Sequence, residues 1–283
     1  MKIFISADIE GVAGVTNFAQ IFPEGGGAYA AACHLLTAEV NAAIEGALEA
    51  GAKEIVVADS HSQATNIIPT ELHPEAQLVR GQPRPHCMMQ GLEQDFEAAL
   101  LVGYHSMAGT PRGVLAHTFI ADISEIRLNG KAVGEVGFNA AFAGELGVPV
   151  AVVTGDDTLA AEIQDTLPWA ERVITKWGLS PFAARNLSPQ KSQAAIRQAA
   201  KRALGRLNEM KPYTAAKPVK FEIDFGKPHL APTLSADIPG VESDGWETLT
   251  YTAKDMADAM RMLRLILNLN SAVTKRPNVG WLA

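Results

Sequence analysis

The stretch Ile3-Phe4-Ile5-Ser6-Ala7-Asp8-Ile9-Glu10-Gly11 starts as an apolar run and ends in two carboxylates. Three further runs in the first part of the chain finish in the same manner: Ile55 to Ala58 in Asp59-Ser60-His61, Ala98 to Val102 in Gly103-Tyr104-His105, and Val148 to Val153 in Gly155-Asp156-Asp157. Each run alone reads as a buried strand followed by a polar turn, since Asp, Ser and Gly are ordinary turn residues. Repetition changes the reading. In an open parallel α/β sheet the ligand lies beyond the carboxyl ends of the strands, so side chains that finish different strands converge there. Two carboxylates and two imidazoles at such ends make up a metal-ligand set.

Between the first two runs, Leu36, Val40, Ala43, Ile44, Ala47 and Leu48 recur at helical spacing, with Glu39, Glu45 and Glu49 assigned to the surface and Gly51 as the stop. Strand, helix, Gly and strand form a βαβ unit whose right-handed crossover makes the strands parallel. The Gly25-Gly26-Gly27 triplet lacks the Lys-Ser/Thr of a phosphate loop, and Gly11-Val12-Ala13-Gly14 is not G-x-G-x-x-G, so a flexible loop is expected in place of a nucleotide cradle. Asn129-Gly130 between strand-like flanks signals a type I′ hairpin. A helix then carries Glu135, Phe138, Ala141, Phe142 and Leu146. Ser188 to Met210 reads as a basic amphipathic helix on the surface. Lys211-Pro212 and Lys217-Pro218 mark a break, followed by strands at Val219 to Phe225 and Thr248 to Thr252 and a helix with Met256, Met260, Leu263 and Leu267. The expected fold is α/β, a largely parallel doubly wound sheet over residues 1–210, with a smaller C-terminal α+β unit over 211–283 that packs on the first or forms an oligomer contact and carries no obvious chemistry.

The 283 residues are 47% hydrophobic and 19% charged, enough for a packed core. A formal net charge of -7 without a Lys/Arg cluster argues against nucleic acid as a partner. No apolar stretch approaches the ~18 residues of a membrane span, and Met1-Lys2 leads straight into a strand-like run. A soluble, cytoplasmic chain is expected, with no membrane partner. Cys33 and Cys87 stand far apart outside any C-x-x-C, so oxygen and nitrogen ligands must hold any metal.

Asp8 and Glu10, two apart, share a face on a continuing strand and repel unless a cation lies between them. Paired acids also serve glycosidases and aspartic proteases, but those mechanisms do not call for neighbouring imidazoles. His61 and His105 favour a divalent metal. Two ions need roughly three protein ligands each, fewer where a carboxylate bridges, so a binuclear hydrolytic site is expected, with single-metal binding as the fallback. Glu135 by position alone is an acid favoured at a helix start, and His117, after Val114-Leu115, a core histidine. His34, His73, His86 and His229 are read as packed, turn or loop residues.

Taken together, Ser6-Ala7-Asp8-Ile9-Glu10-Gly11, Asp59-Ser60-His61-Ser62, Gly103-Tyr104-His105, Gly113-Val114-Leu115-Ala116-His117 and Gly134-Glu135-Val136-Gly137-Phe138-Asn139-Ala140 resemble the binuclear zinc D-aminopeptidases of the DppA type. The motifs run in the same order from residue 1 to about Asp157, with weaker echoes beyond. The resemblance implies that Asp8, Glu10, His61, His105 and Glu135 bind two Zn2+ per chain, with Asp8 bridging, and that His117 is the catalytic histidine. It implies a metal-dependent aminopeptidase acting on short peptides, D-amino-acid dipeptides among them, assembled as a homo-oligomer, a decamer in the family. Asp59 and Asp156 are candidate partners that orient imidazoles or the substrate amine. The nucleophile, water or His117, stays open. The rivals are another binuclear hydrolase (amidohydrolase, deacetylase or phosphoesterase) and a non-catalytic metal-dependent binding protein, since fold and metal do not determine substrate.

Overall fold

The structure, a computed structural model, describes residues 1–274. Strand β1 (Lys2–Ala7), helix α1 (Gly27–Glu49) and strand β2 (Glu54–Asp59) form the expected unit, with β1 and β2 parallel and Ala7 beside Asp59. After its first residue each strand is fully buried, as strands covered on both faces must be. Helix α1 begins well before Leu36, because Ala28 to Cys33 is rich in alanine, the best helix former. The Gly triplet is therefore the turn that enters the helix, not a long loop. At the other end Gly51 takes φ +94°, the left-handed conformation that terminates helices.

Along the chain follow β3 (Ala76–Val79), β4 (Ala98–Val102), the pair β5 (Ile123–Leu128) and β6 (Lys131–Ala132), α2 (Glu135–Glu145), β7 (Val150–Asp156), α3 (Asp157–Glu162), β8 (Glu171–Ser180) and β9 (Ala183–Asn186). The last third supplies α4 (Pro189–Leu204), β10 (Val219–Phe225), α5 (Leu230–Asp237), β11 (Val241–Ser243), β12 (Thr248–Ala253) and α6 (Met256–Thr274). The main sheet runs β3-β2-β1-β4-β7-β8-β9, parallel throughout except for β9, which lies antiparallel on β8. From β1 the chain winds first towards β3 and then, from β4 on, the other way. The carboxyl ends of β1 and β4 therefore flank the switch point where such sheets open a crevice.

One face of this sheet, with Ile3, Ile5, Val57 and Leu100, packs on α1 and α4. The other, with Phe4, Val56, Leu101 and Val153, packs on α2, on α6 and on a second sheet of order β11-β12-β10-β5-β6. The sheets do not divide at residue 210. The Asn129-Gly130 turn has both residues at positive φ, 51° and 79°, as expected for its type, but β5 pairs with β10, Leu128 opposite Phe221. Two strands are too few to stand alone in water, and β10 completes the sheet from ninety residues away. The C-terminal segment thus packs on the first unit and shares its core. Helix α4 is amphipathic as expected: it buries Ile196, Ala199, Ala200 and Ala203 on the α1 side and turns its cations to Glu45, Glu49 and Glu171.

Phe138 of α2 joins the layers, edge-on to Phe119 at 5.7 Å and to Phe221 at 5.5 Å between ring centroids. Phe138→Ala should cost about 3–5 kcal/mol, read as a lowered urea midpoint, and should loosen the helix that presents Glu135.

Candidate metal centre

The ends of the central strands are laced together before any metal is considered. Asp8 N donates to Val102 O (2.8 Å), Gly11 N to Gly103 O (2.7 Å), Ser60 N to Ala7 O (2.8 Å) and Tyr104 N to Thr154 O (2.9 Å). The approach requires glycine: a Cβ at Gly11 would lie 1.9 Å from Tyr104 O, and one at Gly155 2.2 Å from the same oxygen. Three strand ends thereby bring Asp8, Glu10, His61 and His105 to one point, and the first residue of α2, Glu135, closes the ring.

Nδ1 of His61 lies 3.3 Å from Asp8 Oδ1 and 3.1 Å from Glu10 Oε1. Nε2 of His105 lies 3.5 Å from Asp8 Oδ2 and 3.4 Å from Glu135 Oε1. Donors around a tetrahedral zinc, each about 2.0–2.2 Å from the ion, are roughly 3.3–3.5 Å from one another. Each imidazole thus lies between two carboxylates and Asp8 faces both, while Asp8, Glu10 and His105 place donor atoms within 4.8 Å of one another. His117 stacks on His105 with centroids 4.1 Å apart, its Nε2 3.7 Å from Glu135 Oε1. A donor atom of His117 falls within 4.8 Å of donors on His105 and Glu135, so distance alone does not separate a third ligand from an acid–base group.

The free lone pairs point inward. Nε2 of His61 donates to Ile21 O (2.7 Å) and Nδ1 of His105 to Ser106 O (3.0 Å), tautomers assigned from these partners, which leaves the opposite nitrogens as acceptors. Both carboxylate oxygens of Glu10 and Nε2 of His105 are buried without a hydrogen-bond partner among the described residues. Such atoms are costly unless a cation satisfies them, and the donor set suits a divalent one. Without it the cluster holds protons. Burial and the charge of Glu10 raise the Asp8 carboxyl. Burial works against the charged forms of His61 and His105, yet the neighbouring carboxylates overrule it and raise both, His105 to about 10.

A second layer of contacts holds these ligands, and it differs from the expected one. Asp59 makes no hydrogen bond or ion pair with an imidazole among the described residues. It accepts from the backbone N–H groups of Asn66 (2.5 Å) and Ile67 (2.7 Å) and ties down the loop that presents His61. Asp156 caps α3 through Leu159 N and accepts from Val114 N, both at 2.8 Å, which anchors the segment leading to His117. Sequence reasoning missed Lys176. This fully buried ammonium donates to the carbonyls of Glu10, Val12 (3.0 Å) and Val15 (2.5 Å) and gathers the loop after β1 around itself. Its only sequence signal was a lysine inside a strand. Glu39, assigned to the surface, is buried and accepts from Ala13 N (3.1 Å) and Ser192 Oγ (2.7 Å), joining α1, α4 and that same loop. Tyr104 Oη and Ser6 Oγ, 2.6 Å apart, form a polar floor beneath the cluster.

Asp8, Glu10, His61, His117 and Glu135 open into a cavity of about 810 Å³, a size suited to small ligands. Phe18, Phe22 and Phe182 line its mouth, Phe22 lying 5.9 Å from the His61 ring. Arg264, Leu267, Asn268 and Ser271 of α6 line the same cavity, so the C-terminal segment contributes to its wall. The remaining histidines stay outside it: His34 pairs with Glu71 (2.9 Å) and His86 packs on Phe142. Cys33 and Cys87 are free thiols, as expected.

Lys176→Met would strand three carbonyls at about 1–3 kcal/mol each, so it should lower stability on the order of 3 kcal/mol and weaken metal binding, measured by urea unfolding and by metal titration. Because His61 and His105 are raised, they carry protons in the metal-free protein at neutral pH and must release them to ligate. Apparent zinc affinity should therefore fall as pH is lowered, and calorimetry in two buffers of different ionisation enthalpy should detect proton release.

The family model described as peptidase M55, D-aminopeptidase, matches residues 1–265. A D-aminopeptidase of Bacillus subtilis (strain 168) is 34% identical over 271 residues, 95% of this chain and 97% of that protein. A solved structure, the zinc-dependent D-aminopeptidase DppA from Bacillus subtilis, described as a self-compartmentalizing protease, superimposes with a TM-score of 0.91 at 34% identity, over 95% of this chain and 97% of that one. The chain belongs to the M55 family of D-aminopeptidases.

Proposed function

We propose that this chain is a zinc-dependent aminopeptidase that removes the N-terminal residue from short peptides of D-amino acids. The observation that carries the reading is the buried cluster of three carboxylates and two imidazoles whose lone pairs lack partners among the described residues and open onto a cavity. Asp8, Glu10, His61, His105 and Glu135 would hold two zinc ions, with Asp8 shared between them. Bound there, the ions supply Lewis-acid polarisation of the scissile carbonyl.

The remaining chemistry belongs to the chain. Nδ1 of His117 donates to Leu115 O (2.8 Å), which leaves Nε2 towards Glu135 and the cavity as a proton acceptor. Burial lowers its pKa, which favours the neutral imidazole, the form able to take a proton and hand it to the leaving amine. The N-terminal residue of the peptide lies beside the metal cluster, and Phe18, Phe22 and Phe182 shield it at the cavity's aromatic mouth. Phe18, Phe22 and Phe182 are also among the exposed large apolar side chains, a surface consistent with assembly into a closed homo-oligomer, the decamer implied by the family. No helix among the described residues is long and apolar enough to cross a membrane.

Two variants test the roles. His117→Ala should keep two zinc ions per chain by elemental analysis and lose roughly 100- to 10,000-fold in turnover of a D-alanyl dipeptide. Asp8→Ala should lose metal and activity together, because the two cations then lack their bridge. Loss of zinc from His117→Ala would make His117 a ligand, and a near-normal rate would move the acid–base role elsewhere.

A further inference from the structure

We propose that Arg264 of α6 receives the C-terminal carboxylate of the substrate, so that the cavity selects peptides with a free carboxyl end. The inference rests on the peptidase reading above and adds a specificity residue to it.

The cavity is charged unequally along its walls. All three of its lining carboxylates, Asp8, Glu10 and Glu135, belong to the metal cluster, whereas Arg264 is its single lysine or arginine. On α6, Arg264, Asn268 and Ser271 line the cavity beside Leu267 and follow one another at i, i+4 and i+7, the spacing that aligns side chains along one face of a helix. The burial of Cys87, which raises its thiol to about 11, is opposed by the guanidinium groups of Arg264 and Arg84, and Cys87 lines the same cavity.

Arg264 is half-buried and makes no ion pair among the described residues. Arg261, one turn earlier on the same helix, faces Asp258 at 3.8 Å. A guanidinium in a cavity wall without an internal anion fits a ligand carboxylate, which it can hold through two parallel N–H bonds. A short peptide whose N-terminal residue lies at the metal cluster ends in a carboxylate, the charge that Arg264 can hold.

The test compares kcat/KM for D-alanyl-D-alanine and for D-alanyl-D-alaninamide, which differ only in the terminal charge, on the zinc-loaded wild type and on Arg264→Ala and Arg264→Lys. A hydrogen-bonded charge pair of this kind corresponds to roughly a 10- to 100-fold preference for the free acid, carried by KM. That preference should collapse in Arg264→Ala and survive in part in Arg264→Lys. Equal use of acid and amide by the wild type would overturn the proposal without any variant being made. An undiminished preference in Arg264→Ala would overturn it too, placing carboxylate recognition elsewhere. Wild-type protein that holds its zinc but cleaves neither compound would instead sink the peptidase reading, and the two failures are thus told apart.

Discussion

Mutual repulsion of Asp8, Glu10 and Glu135, three carboxylates buried to within 3% exposure, is the constraint on which the rest of the molecule depends. Removing a carboxylate from water costs several kcal/mol even after relaxation. The lone lysine nearby, Lys176, spends its charge on backbone carbonyls. The imidazoles of His61 and His105 offset the repulsion in the metal-free protein only by holding protons, and a pair of divalent cations removes the need for them. A site built this way binds metal by relief of stored electrostatic cost as well as by ligand number.

Such a cluster needs a rigid frame, because the ligands repel whenever the cation is absent. The frame is visible in what surrounds them. Gly11 and Gly155 let the loops close on the Tyr104 carbonyl, Lys176 and Glu39 hold the loop after β1, Asp59 holds the loop of His61, and Asp156 holds the approach to His117. None of these groups touches the reacting centre. Each pairs with backbone N–H or C=O groups, which have no conformational freedom of their own once the loop is set, so the position of the ligand follows from the position of the chain.

The second sheet gives the site its depth. Strand β5 pairs with β10, and α6, packed in the same core, lines the cavity together with the metal cluster. The cluster and this part of the wall thus come from segments more than a hundred residues apart, joined through one core that includes Phe138 and Phe221. A displacement in that core would change the distance between the two ends of the cavity as well as the stability of the fold.

What the sequence by itself determined was local and periodic. Apolar runs ending in Asp8, His61, His105 and Asp156 specified parallel strands and their shared edge, since burial on both faces demands unbroken hydrophobicity and the right-handed crossover leaves one orientation. Asn129-Gly130 specified its turn and Gly51 its helix end, because both need positive φ. Glu135 and His117 were legible only through family resemblance, as a helix-start acid and a histidine after apolar residues have common structural explanations. The tertiary structure alone decided that β5 joins β10, that Lys176 and Glu39 are buried polar anchors, that Asp59 and Asp156 brace loops and orient no imidazole, and that α6 walls the cavity with Arg264. Each of these depends on a partner distant in sequence, and periodicity records which face a residue turns inward but not what it meets there.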